Sequence, residues 1–346
     1  MTSPVEAVEL HGHRGARGLR PENTLPGFAH ALALGVHALE FDVGLTADDV
    51  VVLNHDQMLS PLTAADTRPA RPGDPLYPYV GRPLRTLTLA QVKTIDVGTR
   101  RPSDDDDPLA LTQLPVPGAR PPTLAEVCTL LSAAPDVHLA IELKTDPDWP
   151  DSEVTRFTAA VAEVLDDHGV TSRSRFLAFD WRVLVETHRY APGAGRVALI
   201  DHRSTTPGTT WLAGRPHTDP AGAALDIGAT ALSTDHHLAT PPLVERARRL
   251  ALPVGVWTVN DPADMTRYIT YGVDAIVTDY PDRLRTVLSA HGLPVPESVH
   301  LGNQDETHPH QGSPHSIPKS KGTPPSHPGA SSTPGAQRNA DRPKSA

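Results

Sequence analysis

Eight short apolar runs, separated by stretches of helical periodicity, constrain the fold of this 346-residue chain more than any other feature. The runs fall at 8–11, 38–43, 138–143, 176–179, 197–200, 230–233, 254–259 and 275–278. Amphipathic patterns lie between them at 25–34, 153–167, 181–189, 242–250, 262–271 and 281–290, several opening on a cap followed by proline, as in Asn260-Asp261-Pro262. Strands alternating with helices demand a parallel sheet, because the crossover helix returns the chain to the same edge. Eight such units close a (β/α)8 barrel. Barrels of this kind reach about 250 residues as one unit, so the length calls for one catalytic domain, 1–296, rather than two.

Two regions break the alternation. Residues 57–121 are rich in Pro, Gly, Asp and Arg, with a helical signal only around 87–95, and read as an insertion after the second barrel strand that arches over the mouth. Residues 297–346 are dominated by Pro, Ser, His, Gly and Lys and hold too little apolar surface to offset the entropy of ordering, so they are expected to form a disordered tail.

Composition narrows the partners. With 31 Lys+Arg against 41 Asp+Glu, the formal charge is -10, which argues against a nucleic-acid backbone. No segment approaches the roughly 20 apolar residues of a membrane span, and the N-terminus carries neither a basic n-region nor an apolar h-region, so no membrane anchor and a cytoplasmic location are expected. The single cysteine, Cys128, lies in a helix-core pattern, which fits a reducing compartment.

In a barrel, chemistry gathers at the C-terminal strand ends. There the chain places His13 and Arg14 after the first run, Glu40 and Asp42 at the end of the second, Glu142 and Lys144 at the third, and Trp257 in the seventh. Residues two apart on a strand share a face, so Glu40 converges with Asp42 and Glu142 with Lys144. Three carboxylates without a cysteine or an evident histidine set suit a hard, oxygen-seeking cation, Mg²⁺ or Ca²⁺. Arg14 matches an anionic oxygen centre such as phosphate. His55-Asp56 follows the run 50–53, and Phe179 and Trp257 are candidates for an apolar wall around a small substrate.

In order along the chain stand His13-Arg14-Gly15, Pro21-Glu22-Asn23-Thr24, Glu40-x-Asp42, His55-Asp56, Glu142-x-Lys144, Trp257-Thr258-Val259-Asn260 and Gly272-Val273-Asp274 with Thr278-Asp279-Tyr280-Pro281. Each is common alone; the ordered set, reaching to about Arg285, resembles the glycerophosphodiester phosphodiesterases. The resemblance implies a barrel with an insertion after its second strand and a small-molecule glycerophosphodiester substrate split into glycerol 3-phosphate and an alcohol. It further implies Glu40, Asp42 and Glu142 as ligands of one divalent cation, His13 and His55 as the acid-base pair, and Arg14 and Lys144 as phosphate holders. Water and the substrate's glycerol 2-hydroxyl both stand as nucleophiles, and neither histidine is singled out as the first base.

Other readings compete. His11-x-His13 at a first strand end also resembles the metal-dependent amidohydrolases, with His202, His236 or His237 and Asp279 near later strand ends. That reading leaves Arg14, Glu40, Asp42, Glu142 and Lys144 without roles. A lysophospholipid-directed phospholipase D of related fold, and a non-catalytic barrel that binds phosphodiesters, complete the set.

Overall fold

The computed structural model describes residues 7–301. Eight parallel strands form a closed barrel: β1 Glu9–His13, β2 Ala38–Leu45, β3 His138–Leu143, β4 Ser174–Ala178, β5 Gly195–Ile200, β6 Ala231–Asp235, β7 Val254–Trp257 and β8 Ala275–Thr278. Each strand pairs with the next, and the ring closes where β1 pairs in parallel with both β8 and β2, with Gly12 opposite Thr278 and His13 opposite Glu40. A helix precedes each next strand: α1 Leu25–Leu34, α2 Leu124–Leu131, α3 Asp151–Asp167, α4 Arg182–Tyr190, α5 Pro220–Asp226, α6 Pro241–Arg249 and α7 Pro262–Tyr271, with α8 Pro281–Ala290 after β8.

The period of two along the strands divides the core. Outward residues such as Leu39, Phe41 and Val43 of β2 and Leu139, Ile141 and Leu143 of β3 join the main apolar layer under the helices, where Phe28 of α1 meets Phe41 at 5.5 Å between ring centres. Inward residues form a much smaller cluster of Ala140, Leu177, Val197 and Leu199. Truncating a ring in the outer layer, as in Phe41→Ala, costs about 3–5 kcal/mol by loss of transfer energy and cavity formation.

The local signals explain the element boundaries. Thr24 caps α1 by accepting from the Gly27 N–H, with Pro26 in the first turn, and Asp261 caps α7 by accepting from Ala263 and Asp264. Gly272 ends α7 in the left-handed region, at φ 80°, where a Cβ would be disfavoured. Periodicity does not mark α5, whose seven residues are mostly Ala and Gly, because small side chains give a weak amphipathic signal. Strand β7 stops at Trp257 rather than 259, and Phe179 lies one residue past β4.

After β2 the chain forms a short antiparallel strand, Val51–Leu53, against the end of β2 and then leaves the barrel. The excursion carries its own apolar cluster of Leu59, Tyr79, Leu84, Leu87, Val92 and Ile95. It leans on the mouth: the Gln57 amide donates to the Lys144 carbonyl (2.7 Å), the Thr112 hydroxyl to Gly18 O (2.7 Å), and the Gln113 amide to Arg17 O (2.7 Å). At the other end, residues 297–301, expected to lack packing, still touch the barrel: the Val299 N–H donates to Leu32 O at 2.8 Å. Proximity to the groove beside α1 gives Val299 and Leu301 an apolar surface that composition alone did not show. The remainder of the expected disordered tail, from 302 on, lies outside the described residues. Cys128 is buried in α2, as its helix-core setting predicts.

Candidate active site

The inward register of the strands delivers the polar residues to the C-terminal mouth. Glu40 and Asp42 of β2 and Glu142 of β3 offer carboxylate oxygens that all lie within 4.8 Å of one another, with Asp42 opposite Glu142 in the sheet. Each side chain is nearly inaccessible to solvent. Lys144 follows Glu142 and sets its Nζ 2.5 Å from Glu142 Oε1 and 2.9 Å from Asp42 Oδ1. Asn23 clamps Asp42 twice, donating from its amide to Oδ2 (2.9 Å) and accepting from the Asp42 N–H (3.2 Å). It does so from a left-handed conformation, φ 54°, which Asn tolerates better than most residues.

Burial and two neighbouring carboxylates push the Glu40 carboxyl well above the usual range, against the opposing pull of Arg14. Burial would raise Asp42 too, but Lys144, Arg14 and His55 outweigh it and hold Asp42 well below its ordinary value. The same carboxylates overcome the burial of Lys144 and keep it charged. A buried triad of oxygen donors, one of them forced toward its neutral form by the other two, fits a hard divalent cation, because such an ion removes the repulsion. Glu40, Asp42 and Glu142 would hold it.

Two imidazoles face this triad. His13 turns Nδ1 to Asp279 Oδ1 at 2.6 Å, and its Nε2 stands 3.9 Å from Glu40 Oε2. Burial lowers the His13 pKa, opposed by the Asp279 charge. Burial would raise Asp279, yet His13 and the Asn260 amide (2.7 Å) bring it down to about 2. His55 enters from the loop after the Val51–Leu53 strand, half-exposed, with Nδ1 2.7 Å from Asp56 Oδ1. In each ring one nitrogen is tied to a carboxylate and the other is left to exchange a proton.

A cavity of about 170 Å³ brings together His13, His55, Arg14, Glu40, Glu142 and Lys144. Phe179 and Trp257 wall its far side, their rings edge to face at 5.6 Å. Asp42 lies beneath this surface, reached through Lys144 and Arg14. Arg14 is engaged more fully than its expected role suggests. Its Nη1 donates to Glu22 at 2.6 Å, while its buried Nε lies 3.1 Å from Asp42 without alignment for a hydrogen bond, so much of the guanidinium is committed to these two carboxylates. Arg17 also lines the cavity and pairs with Glu22 at 2.9 Å.

Two residues escaped the sequence reading of the site. Asp279 entered there only as part of a quoted motif and of a rival metal set, although the inward register Ala275, Val277, Asp279 points to it. Arg17 sits in the loop after β1 with no periodic signal. The His11 ring goes elsewhere: its Nε2 pairs with Glu9 at 2.7 Å beside Arg175, in a separate cavity at the N-terminal end of the barrel. His236 and His237 gather with Asp235 and not with Asp279.

A sequence profile described as the Glycerophosphoryl diester phosphodiesterase family matches residues 13–283. The chain belongs to this family and is an enzyme of the phosphodiester hydrolase class. It is 26% identical over 281 residues to a glycerophosphodiester phosphodiesterase of Caldanaerobacter subterraneus subsp. tengcongensis, spanning 81% of this chain and 97% of that one. A Bacillus subtilis glycerophosphodiester phosphodiesterase is 25% identical over 277 residues, 80% of this chain and 84% of that one. Among solved structures, a candidate glycerophosphoryl diester phosphodiesterase from Silicibacter pomeroyi DSS-3 superposes with a TM-score of 0.71 at 33% identity, covering 83% of this chain and 95% of that one. An Oleispira antarctica phosphodiesterase, solved with the product sn-glycerol-3-phosphate, shares the fold with a TM-score of 0.62 at 22% identity, over 82% of this chain and 97% of that one. Family membership sets the amidohydrolase reading aside, and the separation of His11 from His13 agrees with that.

Proposed function

We propose that the protein hydrolyses glycerophosphodiesters to glycerol 3-phosphate and an alcohol, with a divalent cation at Glu40, Asp42 and Glu142 and with His13 and His55 as the proton-transfer pair. The observation that carries this reading is the placement of two carboxylate-tethered imidazoles in one cavity with the buried acidic triad. The product bound in the Oleispira antarctica relative supports the choice of substrate.

The chain's own groups divide the work by environment. His13, whose pKa burial lowers, is neutral near pH 7 and accepts the proton of the nucleophile, water or the glycerol 2-hydroxyl, while Asp279 fixes its tautomer and steadies the cation that forms. His55, nearer solvent, returns a proton to the departing alkoxide. Lys144 and the Arg14 guanidinium hold the phosphoryl group, and Phe179 and Trp257 exclude water from the carbon face of the glycerol. A divalent cation, Mg²⁺ or Ca²⁺, when bound, would neutralise charge developing on the phosphoryl group.

The test is to incubate the enzyme with glycerophosphoinositol and Mg²⁺ or Ca²⁺ and assay glycerol 3-phosphate by a coupled dehydrogenase. Release is expected, with loss on chelation. Release of a phosphorylated headgroup and free glycerol would show that the other ester bond breaks and would overturn the proposal.

One observation favours a second reading, a lysophospholipid substrate. The insertion exposes Met58, Leu62, Leu111 and Leu114, the last two at 80% and 59%. Release of lysophosphatidic acid from lysophosphatidylglycerol at a rate matching the acyl-free diester would support it. Among the described residues no helix is long and apolar enough to cross a membrane.

A further inference from the structure

A second cavity, of about 200 Å³, adjoins the first and shares Arg14, Arg17 and His55 with it. It lies between the loop after β1 and the insertion, with Asn54, Asp56, Ser60 and Thr63 on one side and Arg100 behind. Resting on the phosphodiesterase reading above, we propose that this lobe receives the leaving alcohol and selects polyhydroxyl headgroups, such as glycerol or inositol, over quaternary ammonium headgroups.

Position supports the first half. His55 is the imidazole at the junction of the two cavities, so a diester spanning them sets its leaving oxygen beside the group that protonates it. The inner cavity, with the acidic triad, Lys144 and the aromatic wall, takes the glycerol phosphate. Past His55 the second lobe is the cavity that adjoins it and that the headgroup meets.

Charge and chemistry support the second half. Three guanidinium groups converge on one carboxylate: Arg14 and Arg17 meet Glu22 at 2.6 and 2.9 Å, and Arg100 Nη1 lies 3.7 Å from it. Arg100 is held in place by Asp107 at 2.9 Å. The two carboxylates that line the lobe are already engaged, Glu22 by the arginines and Asp56 by His55 at 2.7 Å, so neither is left to draw in a fixed positive charge. Quaternary ammonium groups are recognised by the faces of Trp, Tyr and Phe, and none of these lines this lobe. The Ser60 and Thr63 hydroxyls, the Asn54 amide and the arginine N–H groups instead offer donors and acceptors that a polyol can match.

The test compares kcat/KM of the full-length enzyme with Mg²⁺ for glycerophosphoglycerol, glycerophosphoinositol and glycerophosphocholine, following glycerol 3-phosphate. Both polyol diesters should exceed the choline diester by about tenfold, the size of one or two well-made hydrogen bonds. The Ser60→Ala/Thr63→Ala double variant should bring that ratio close to one, and Thr63→Tyr, which adds an aromatic face, should shift it toward choline. Melting temperatures of the two variants, whose sites are partly exposed, verify folding. A wild-type preference for choline, or a ratio unchanged in both variants, overturns the subsite while glycerol 3-phosphate release keeps the phosphodiesterase reading standing. Absence of glycerol 3-phosphate from all three diesters overturns that reading and the subsite with it.

Discussion

His13 Nδ1 lies 2.6 Å from Asp279 Oδ1, a contact made across the seam where the first and last strands of the barrel meet. The two residues are 266 positions apart, and both stand at strand ends, so closure of the ring itself builds the pair. Asp279 is in turn held by Asn260, which donates from its amide to Oδ2 at 2.7 Å and accepts from the Asp279 N–H at 2.9 Å. The orientation of His13 thus depends on three barrel elements together.

Asp279→Asn should retain the fold and lose about 10²-fold in kcat, within the range for disabling a proton-transfer group. The sign of the accompanying pH effect is determined by charge. Asp279 raises the His13 pKa against the lowering by burial, so its neutralisation lets that pKa fall further, and the limb of the pH–rate profile carried by His13 should move to lower pH. A profile displaced upward would contradict the pairing.

His13 and His11 should separate cleanly. His13→Ala is expected to lose 10² to 10⁴-fold in turnover, on the order of a full general acid-base contribution, while calorimetric binding of Mg²⁺ persists. His11→Gln should keep most activity, because His11 contacts Glu9 and Arg175 outside the site cavity, and should cost about 1 kcal/mol in stability from the altered hydrogen bond. Joint loss of metal in both variants would show that the histidines rather than the acidic triad hold the ion.

Cation binding should release protons. Glu40 is pushed toward its neutral form by burial and by Asp42 and Glu142, so a divalent ion entering the triad must displace its proton. Titration calorimetry in two buffers of different ionisation enthalpy should show that release, with affinity for Mg²⁺ or Ca²⁺ rising with pH. Equal heats in both buffers would refute the coupling.

Acid should unfold the protein through its paired carboxylates. Burial would raise Glu22, but Arg14 and Arg17 bring it down to about 2; burial would likewise raise Asp107, which Ser103 N–H and Arg100 bring down to about 2. A depressed carboxyl stabilises the fold fully above its unfolded value and loses that contribution as pH falls through the folded value. Glu22, buried among its arginines, should supply on the order of 2–3 kcal/mol by this route. Urea midpoints should therefore fall between about pH 4.5 and 2, and Glu22→Gln should flatten the decline.

The chemistry-bearing residues were legible wherever the argument was local. Glu40 with Asp42, and Glu142 with Lys144, follow from strand periodicity, since two residues apart on one strand share a face whatever the rest of the chain does. The cap at Asp261 was readable for the same reason, because a helix start needs only the next three residues. Helix α5 was not, because its alanines and glycine carry no amphipathic contrast, and Val299 was not, because its partner is the backbone of Leu32.

The sequence by itself thus determined the barrel, the identity of its inward carboxylates and the motifs at its mouth. The tertiary structure alone decided that His13 belongs to Asp279 while His11 belongs to Glu9, that one glutamate at position 22 gathers Arg14, Arg17 and Arg100, and that His55 stands between two cavities. The physical reason is range. Residue type and spacing specify which face of a strand a side chain occupies, but which distant group it meets there is settled only when the ring closes and the insertion comes to rest on its mouth.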